Sequence, residues 1–172
     1  NTISYAKATK GVEVDLSIED IAQDTKGAGI DELSGFDNII GSRLGDTLKG
    51  SSFDNVLNGG RGNDTLTGGA GRDTFVIGAF AGIDKITDFR VVDDVIHLDN
   101  AAFVGLANGT LAASAFAASL TGQAADATDR ILYETDTGFL YYDADGTGAE
   151  ERIHFATLKA NLALTNADFF VI

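Results

Sequence analysis

The sequence predicts an all-β chain: a parallel coil of nine-residue repeats, followed by a β-meander with short helices. Three observations predict it. An apolar residue recurs every nine positions, at Ile39, Leu48, Leu57, Leu66 and Phe75. Two places before each stands an acid or its amide, Asp37, Asp46, Asn55, Asp64 and Asp73, with glycines filling the turns between. Farther on, strand-like runs at 130–133, 139–142 and 152–155 are joined by TDTG and DADGTG turns. A period of nine suits neither the helical 3.6 nor the alternation of one long strand, but it suits a turn plus a very short strand. Glycine permits the turn, and the residues around the apolar place extend and point one side chain inward.

Composition sets the outer bounds. A chain of 172 residues with 44% apolar content holds one or two packed domains. Its net charge of −14 argues against nucleic acid or an anionic membrane as partner and makes a cation the natural counterpart. There is no cysteine, hence no disulfide framework and no thiolate zinc site. No apolar run approaches the ~18 residues of a membrane span, and no basic segment followed by an apolar stretch marks a cleaved signal peptide.

Taken in order, Asn1, Thr2, Ile3 and Ser4 read as the last four places of a repeat, so the chain is expected to be cut from something longer. GVEVDLS (11–17) alternates Val12, Val14 and Leu16 and reads as a longer strand of a less regular coil. Ile30 falls in phase with the later apolar series and is expected to point inward with it, while Ala28 ends the register upstream. The blocks ELSGFDNII (32–40), GSRLGDTLK (41–49), GSSFDNVLN (50–58), GGRGNDTLT (59–67) and GGAGRDTFV (68–76) follow. IDKITDF (83–89) and DDVIHLD (93–99) read as closing strands, with Ile86, Phe89, Ile96 and Leu98 set between aspartates. LAASAFAASL (111–120) is predicted as a short helix, ahead of the meander and the apolar ending ADFFVI. The predicted division is a roll over 1–99 and a capping region over 100–172.

An aspartate fixed beside a glycine turn supplies hard oxygen, and the turn exposes carbonyls with no strand partner. Calcium takes six to eight oxygens at ~2.3–2.6 Å, a demand two facing turns meet, whereas magnesium prefers smaller and more hydrated sites. His97 and His154 stand apart among unlike neighbours and read as strand residues.

GGRGNDTLT and GGAGRDTFV match, place for place, the G-G-x-G-x-D-x-U-x nonapeptide, and by them the chain resembles the RTX (repeats-in-toxin) calcium-binding β-roll proteins. The resemblance extends through the degenerate blocks of 32–58. It implies a parallel β-roll and the C-terminal region of a bacterial protein exported by type I secretion machinery, with DKITDF and ADFFVI similar to the segments that follow the repeats. In that family each calcium sits between the turns of blocks two apart. Carried over, Asp46 faces Asp64, Asn55 faces Asp73, and the block of Asp37 faces that of Asn55. The implied ligands are these sixth-place side chains together with the turn carbonyls of Gly59, Gly60, Arg61, Gly62, Gly68, Gly69, Ala70 and Gly71. Asp84 and Asp88 match aspartates that complete an outermost site. The implied complement is about two to four calcium ions. Leu44 and Phe53 replace the fourth-place glycine and Asn55 carries no charge, so for 32–58 a plain solvated turn without metal stands as the alternative reading.

DADGTGAEE (143–151) shares alternate aspartates with an EF-hand loop but lacks its sixth-place glycine, twelfth-place glutamate and flanking helices. It reads as a hairpin turn, with an opportunistic calcium as the other reading. Tyr133, Tyr141 and Tyr142 read either as core or as a sugar-stacking face. There is no H-E-x-x-H, G-x-S-x-G, Walker loop or cysteine nucleophile, so no reaction is expected of these residues, and any catalytic domain of the parent is expected before Asn1. The expected role is a secreted, extracellular module that folds on calcium and carries an export signal. The rivals are a polysaccharide- or cell-surface-binding module and the non-catalytic tail of a secreted hydrolase or protease.

Overall fold

A computed structural model describes residues 1–172. The chain winds between two sheets. It starts with β1 (Thr2–Ser4) and β2 (Glu13–Asp15), leaves in the small hairpin β3 (Ala22–Asp24) and β4 (Ile30–Glu32), then returns as β5 (Asn38–Ile40), β6 (Thr47–Lys49), β7 (Val56–Asn58), β8 (Thr65–Thr67), β9 (Thr74–Ile77), β10 (Asp84–Ile86) and β11 (Val95–Leu98). Successive strands alternate between the sheets, so β1, β5, β7, β9 and β11 stack in one and β2, β6, β8 and β10 in the other, all parallel. This is a parallel β-roll.

Each three-residue strand presents one side chain to the interior. Register lines these into two rows, Ile3, Ile39, Leu57, Phe75 and Ile96 on one sheet and Val14, Leu48, Leu66 and Ile86 on the other. All but the half-buried Ile3 are buried. A buried aliphatic side chain contributes about 1.5–3 kcal/mol, and with one per strand the roll has a thin core for its length.

Beyond residue 99 come β12 (Gly109–Thr110), β13 (Phe116–Ser119), β14 (Ile131–Glu134), β15 (Phe139–Tyr142), β16 (Ile153–Thr157) and β17 (Phe169–Val171). The run β14–β15–β16 is an antiparallel meander. The two sheets do not stop at 99: β16 adds parallel to β10, and β17 parallel to β11. Both rows of the roll therefore run on into the C-terminal segment.

Two expectations are corrected. The alanine-rich segment 111–120 is not a helix; after a single 3-10 turn at Ala113–Ala115 it extends as β13, because residues 116–119 pair in parallel with β14 and Phe116 packs on Phe169. Long-range pairing has overridden helix propensity. Ile30, in phase by number, is 76% exposed, because residues 22–32 leave the coil as a hairpin and the coil count restarts afterwards.

That hairpin also closes an edge. β2 is the last strand of its sheet, and Gln23 lies against it: its Oε1 accepts from Asp15 N at 2.9 Å and its Nε2 donates to Asp15 O at 3.0 Å.

Candidate metal centre

The turns lie on two edges of the roll. Asp46, Asp64 and Asp84 enter strands of one sheet and form a column on one edge; Asn55, Asp73 and Asp94 do the same on the other. Asp64 and Asp73, nine places apart in sequence, are thus on opposite edges.

One bond repeats up each column. The Oδ1 of Asp46 accepts from Val12 N, that of Asp64 from Asp46 N and that of Asp84 from Asp64 N, at 2.7, 2.8 and 3.1 Å. On the other edge Asp73 accepts from Asn55 N at 2.9 Å and Asp94 from Asp73 N at 3.0 Å. Every coil is fastened to the one before it by a side chain. The cost is like charge drawn together in a dry place: Asp46, Asp64, Asp73, Asp84 and Asp94 are all buried.

The carboxyls register that cost. Burial foremost, with the Asp84 and Asp46 carboxylates adding to it, pushes Asp64 up to about 7. Burial and the charges of Asp94, Asp88 and Asp54 push Asp73 up to about 6. Asp84 rises to about 6 and Asp94 is also raised, burial again first in each.

Two oxygens in these columns are buried without any hydrogen-bond partner, Oδ2 of Asp64 and Oδ2 of Asp73. They lie against Gly59 and Gly68, where any Cβ would collide with them. Around them the carbonyls of residues 59–62 and 68–71 accept no hydrogen bond within the protein. Buried polar groups left like this are rare and call for a partner. A cation that takes oxygen alone would serve both the carboxylate oxygens and the carbonyls around them. Three or more acidic or imidazole side chains converge nowhere in the chain, so carbonyls would have to form most of any shell. A high-coordination, all-oxygen, carbonyl-rich donor set fits calcium.

The other predicted residues are placed as follows. Arg61 and Ala70 hold the exposed tips of their turns. Asp37 keeps its side chain half in solvent, bonded to the Asn1 amine at 2.6 Å, and only its carbonyl enters the column, accepting from Asn55 Nδ2 at 2.7 Å. Asp84 and Asp88 are separated: Asp84 continues the Asp46–Asp64 column, whereas Asp88 is on the other edge, its two oxygens accepting from Gly68 N and Gly69 N at 2.9 Å. Sequence reasoning missed Asp94, which tops the second column. The signal was present, since Asp94-Val95-Ile96 repeats the spacing of acid and inward apolar residue.

Away from the edges, residues 143–151 form the turn between β15 and β16, with Asp143 Oδ1 accepting from Asp145 N and Gly146 N at 3.2 and 2.8 Å. Tyr133 and Tyr142 are buried, with hydroxyls bonded to Lys159 O and Val104 O. Tyr141 alone of the three is half-exposed, and Arg152 lies 3.9 Å from its ring centroid. His97 and His154 are strand residues of β11 and β16.

Residues 40–75 match the family model of the RTX calcium-binding nonapeptide repeat, in four copies. No curated protein matches the chain.

Proposed function

We propose that this chain, a parallel β-roll whose residues 40–75 match the RTX calcium-binding nonapeptide repeat, is a secreted bacterial module whose folding is switched by calcium after export. The observation that carries this reading is the pair of buried, partnerless oxygens, Asp64 Oδ2 and Asp73 Oδ2, each in a turn of free carbonyls. Bound there, calcium supplies the positive charge and the oxygen-binding capacity that the turns lack. The chain's residues do the rest. The aspartates tie coil to coil, the glycine turns aim carbonyls at each edge, and the apolar rows close the interior.

Where calcium is scarce, the acidic columns repel and the glycine turns are expensive to order, so the repeat region stays open and threadable. At extracellular concentrations the ion exceeds the ~10⁻⁴–10⁻³ M affinities of extracellular modules, and the roll closes. Export in the open state, by type I machinery reading a signal in the C-terminal segment, is part of the proposal. So are the division into a roll over 1–99 and a capping region over 100–172, and the absence of a reaction of its own.

Far-UV circular dichroism of the chain, first in chelator and then in millimolar calcium, tests the switch. Strand signal is expected to grow on adding calcium; the same folded spectrum in both overturns the reading.

A further inference from the structure

We propose that the residue at the second place of each turn decides whether that turn needs an ion, and that Ser42 and Ser51 make theirs independent of calcium. The repeat turns then take up two ions, one at Asp64 and one at Asp73, the two repeat turns with a partnerless carboxylate oxygen; outside the repeats Asp145 Oδ1 is also partnerless, and it is removed by Asp145→Asn when ions are counted. This rests on the calcium reading above and divides it among the turns.

The acids share the accepted bond to the previous coil, Asn55 donating to Asp37 O in its place, and the side chains differ in what else they meet. Asp46 accepts from Ser42 N through Oδ2 at 2.6 Å and from Ser42 Oγ through Oδ1 at 2.8 Å. Asn55 Oδ1 accepts from Ser51 N at 2.6 Å and Ser51 Oγ at 3.3 Å. Asp94 Oδ2 accepts from Arg90 N at 2.8 Å. In all three the donor lies four residues before the acceptor.

At Asp64 and Asp73 the residue four before is Gly60 and Gly69, and there the pattern breaks. Gly60 has φ +93° and Gly69 φ +101°, the left-handed region that a residue with a Cβ avoids. Their N–H groups turn elsewhere, Gly60 N to Asn58 Oδ1 at 3.0 Å and Gly69 N to Asp88 Oδ2 at 2.9 Å. The carboxylate oxygen that a serine turn would satisfy is left bare.

Serine therefore replaces the ion in two ways. Its side chain holds the backbone at negative φ, which aims the N–H at the acid, and its hydroxyl adds a second donor. Asn55 completes the replacement on its edge by removing a charge and donating to the Asp37 carbonyl at 2.7 Å. Of the blocks where metal-free turns stood as an alternative, 41–49 and 50–58 bond themselves shut.

Calorimetric calcium titration counts the ions. With Asp145→Asn present throughout, the otherwise wild-type chain is expected to bind two, Asp64→Asn one, and the double variant Ser42→Gly/Leu44→Gly, which restores the glycines of the repeat, three. A count of three or four for the otherwise wild-type chain overturns the division among turns while sparing the calcium reading. So does a double variant that is folded by circular dichroism and still binds two. A wild-type chain that binds no calcium overturns the calcium reading and this division with it.

Discussion

The repeat region and the C-terminal segment solve the same problem with different means. Between 38 and 76 each short strand buries a single side chain, and the largest polar investment is a column of aspartates at either edge. Beyond 100 the interior holds an aromatic cluster among aliphatic side chains. Phe103 meets Phe155 at 5.1 Å and Tyr142 at 5.4 Å between ring centroids, edge to face in each case. Phe80, from the turn that follows the last full repeat, joins the same cluster, 4.7 Å from Phe103 and stacked on Tyr142 at 5.3 Å. Such pairs and the area they bury stabilise a fold without help from solutes. Ordering a chain costs about 1–2 kcal/mol per residue in backbone entropy alone. One half offsets this with apolar area; the other is short of area, and in the proposal made above calcium makes up the difference.

The sharpest way to test that contrast is to cut the aromatic cluster. Phe103, fully buried, is expected to lose about 3–5 kcal/mol on replacement by alanine. Denaturant melts of the calcium-loaded chain measure this, and a titration of Phe103→Ala should still count the wild-type number of ions. A loss below about 1 kcal/mol would show that the cluster is not the support of the C-terminal half.

Acidity gives a smaller, signed effect. With folded values raised to about 7 for Asp64 and about 6 for Asp73 and Asp84, above the ordinary carboxylate range, protonation relieves the folded, metal-free roll. Stability without calcium is therefore lost as pH rises through the folded values and recovered as it falls toward the unfolded ones. Calcium competes with those protons and binds more weakly in acid. As pH falls from about 7.5 to 5.5 the strand signal in chelator should rise while calcium affinity falls; a chelated form that loses strand signal in acid breaks the assignment of the cost to these carboxyls.

The smallest effect is expected at Phe53, which stands 67% exposed on a turn that bonds itself shut. Phe53→Ser should change stability by no more than about 0.5 kcal/mol and leave the ion count alone, and a larger loss in the melt would mean that this side chain supports its edge.

Much of this is legible in the sequence, and for a physical reason. When each strand contributes one inward residue, the period of the sequence is the period of the coil, so Leu48, Leu57 and Leu66 could be placed by counting. Counting failed wherever the coil changed length. Asp84 bonds to a residue 20 places back and Asp94 to one 21 back, where the regular repeat uses 18, and Asp94 was lost in that slippage. It failed at Ile30 because a hairpin leaves the coil, and at 116–119 because pairing with 131–134 is invisible to local propensity. The serines were in plain view as departures from the glycine pattern. Their meaning lay in the direction of an N–H group, which spacing does not carry.

Gln23 has a consequence beyond its two bonds to Asp15. A stack of identical rungs has no intrinsic length, and its terminal rung offers the next chain the same ladder it offered the last, which is the geometry from which fibres grow. The side-chain amide of Gln23 has the donor and acceptor of a peptide group but no main chain running through it to carry the ladder on. It occupies one position on the last rung like a blank tile, so the growing face of that sheet ends at residue 15 in a counterfeit peptide bond rather than an invitation.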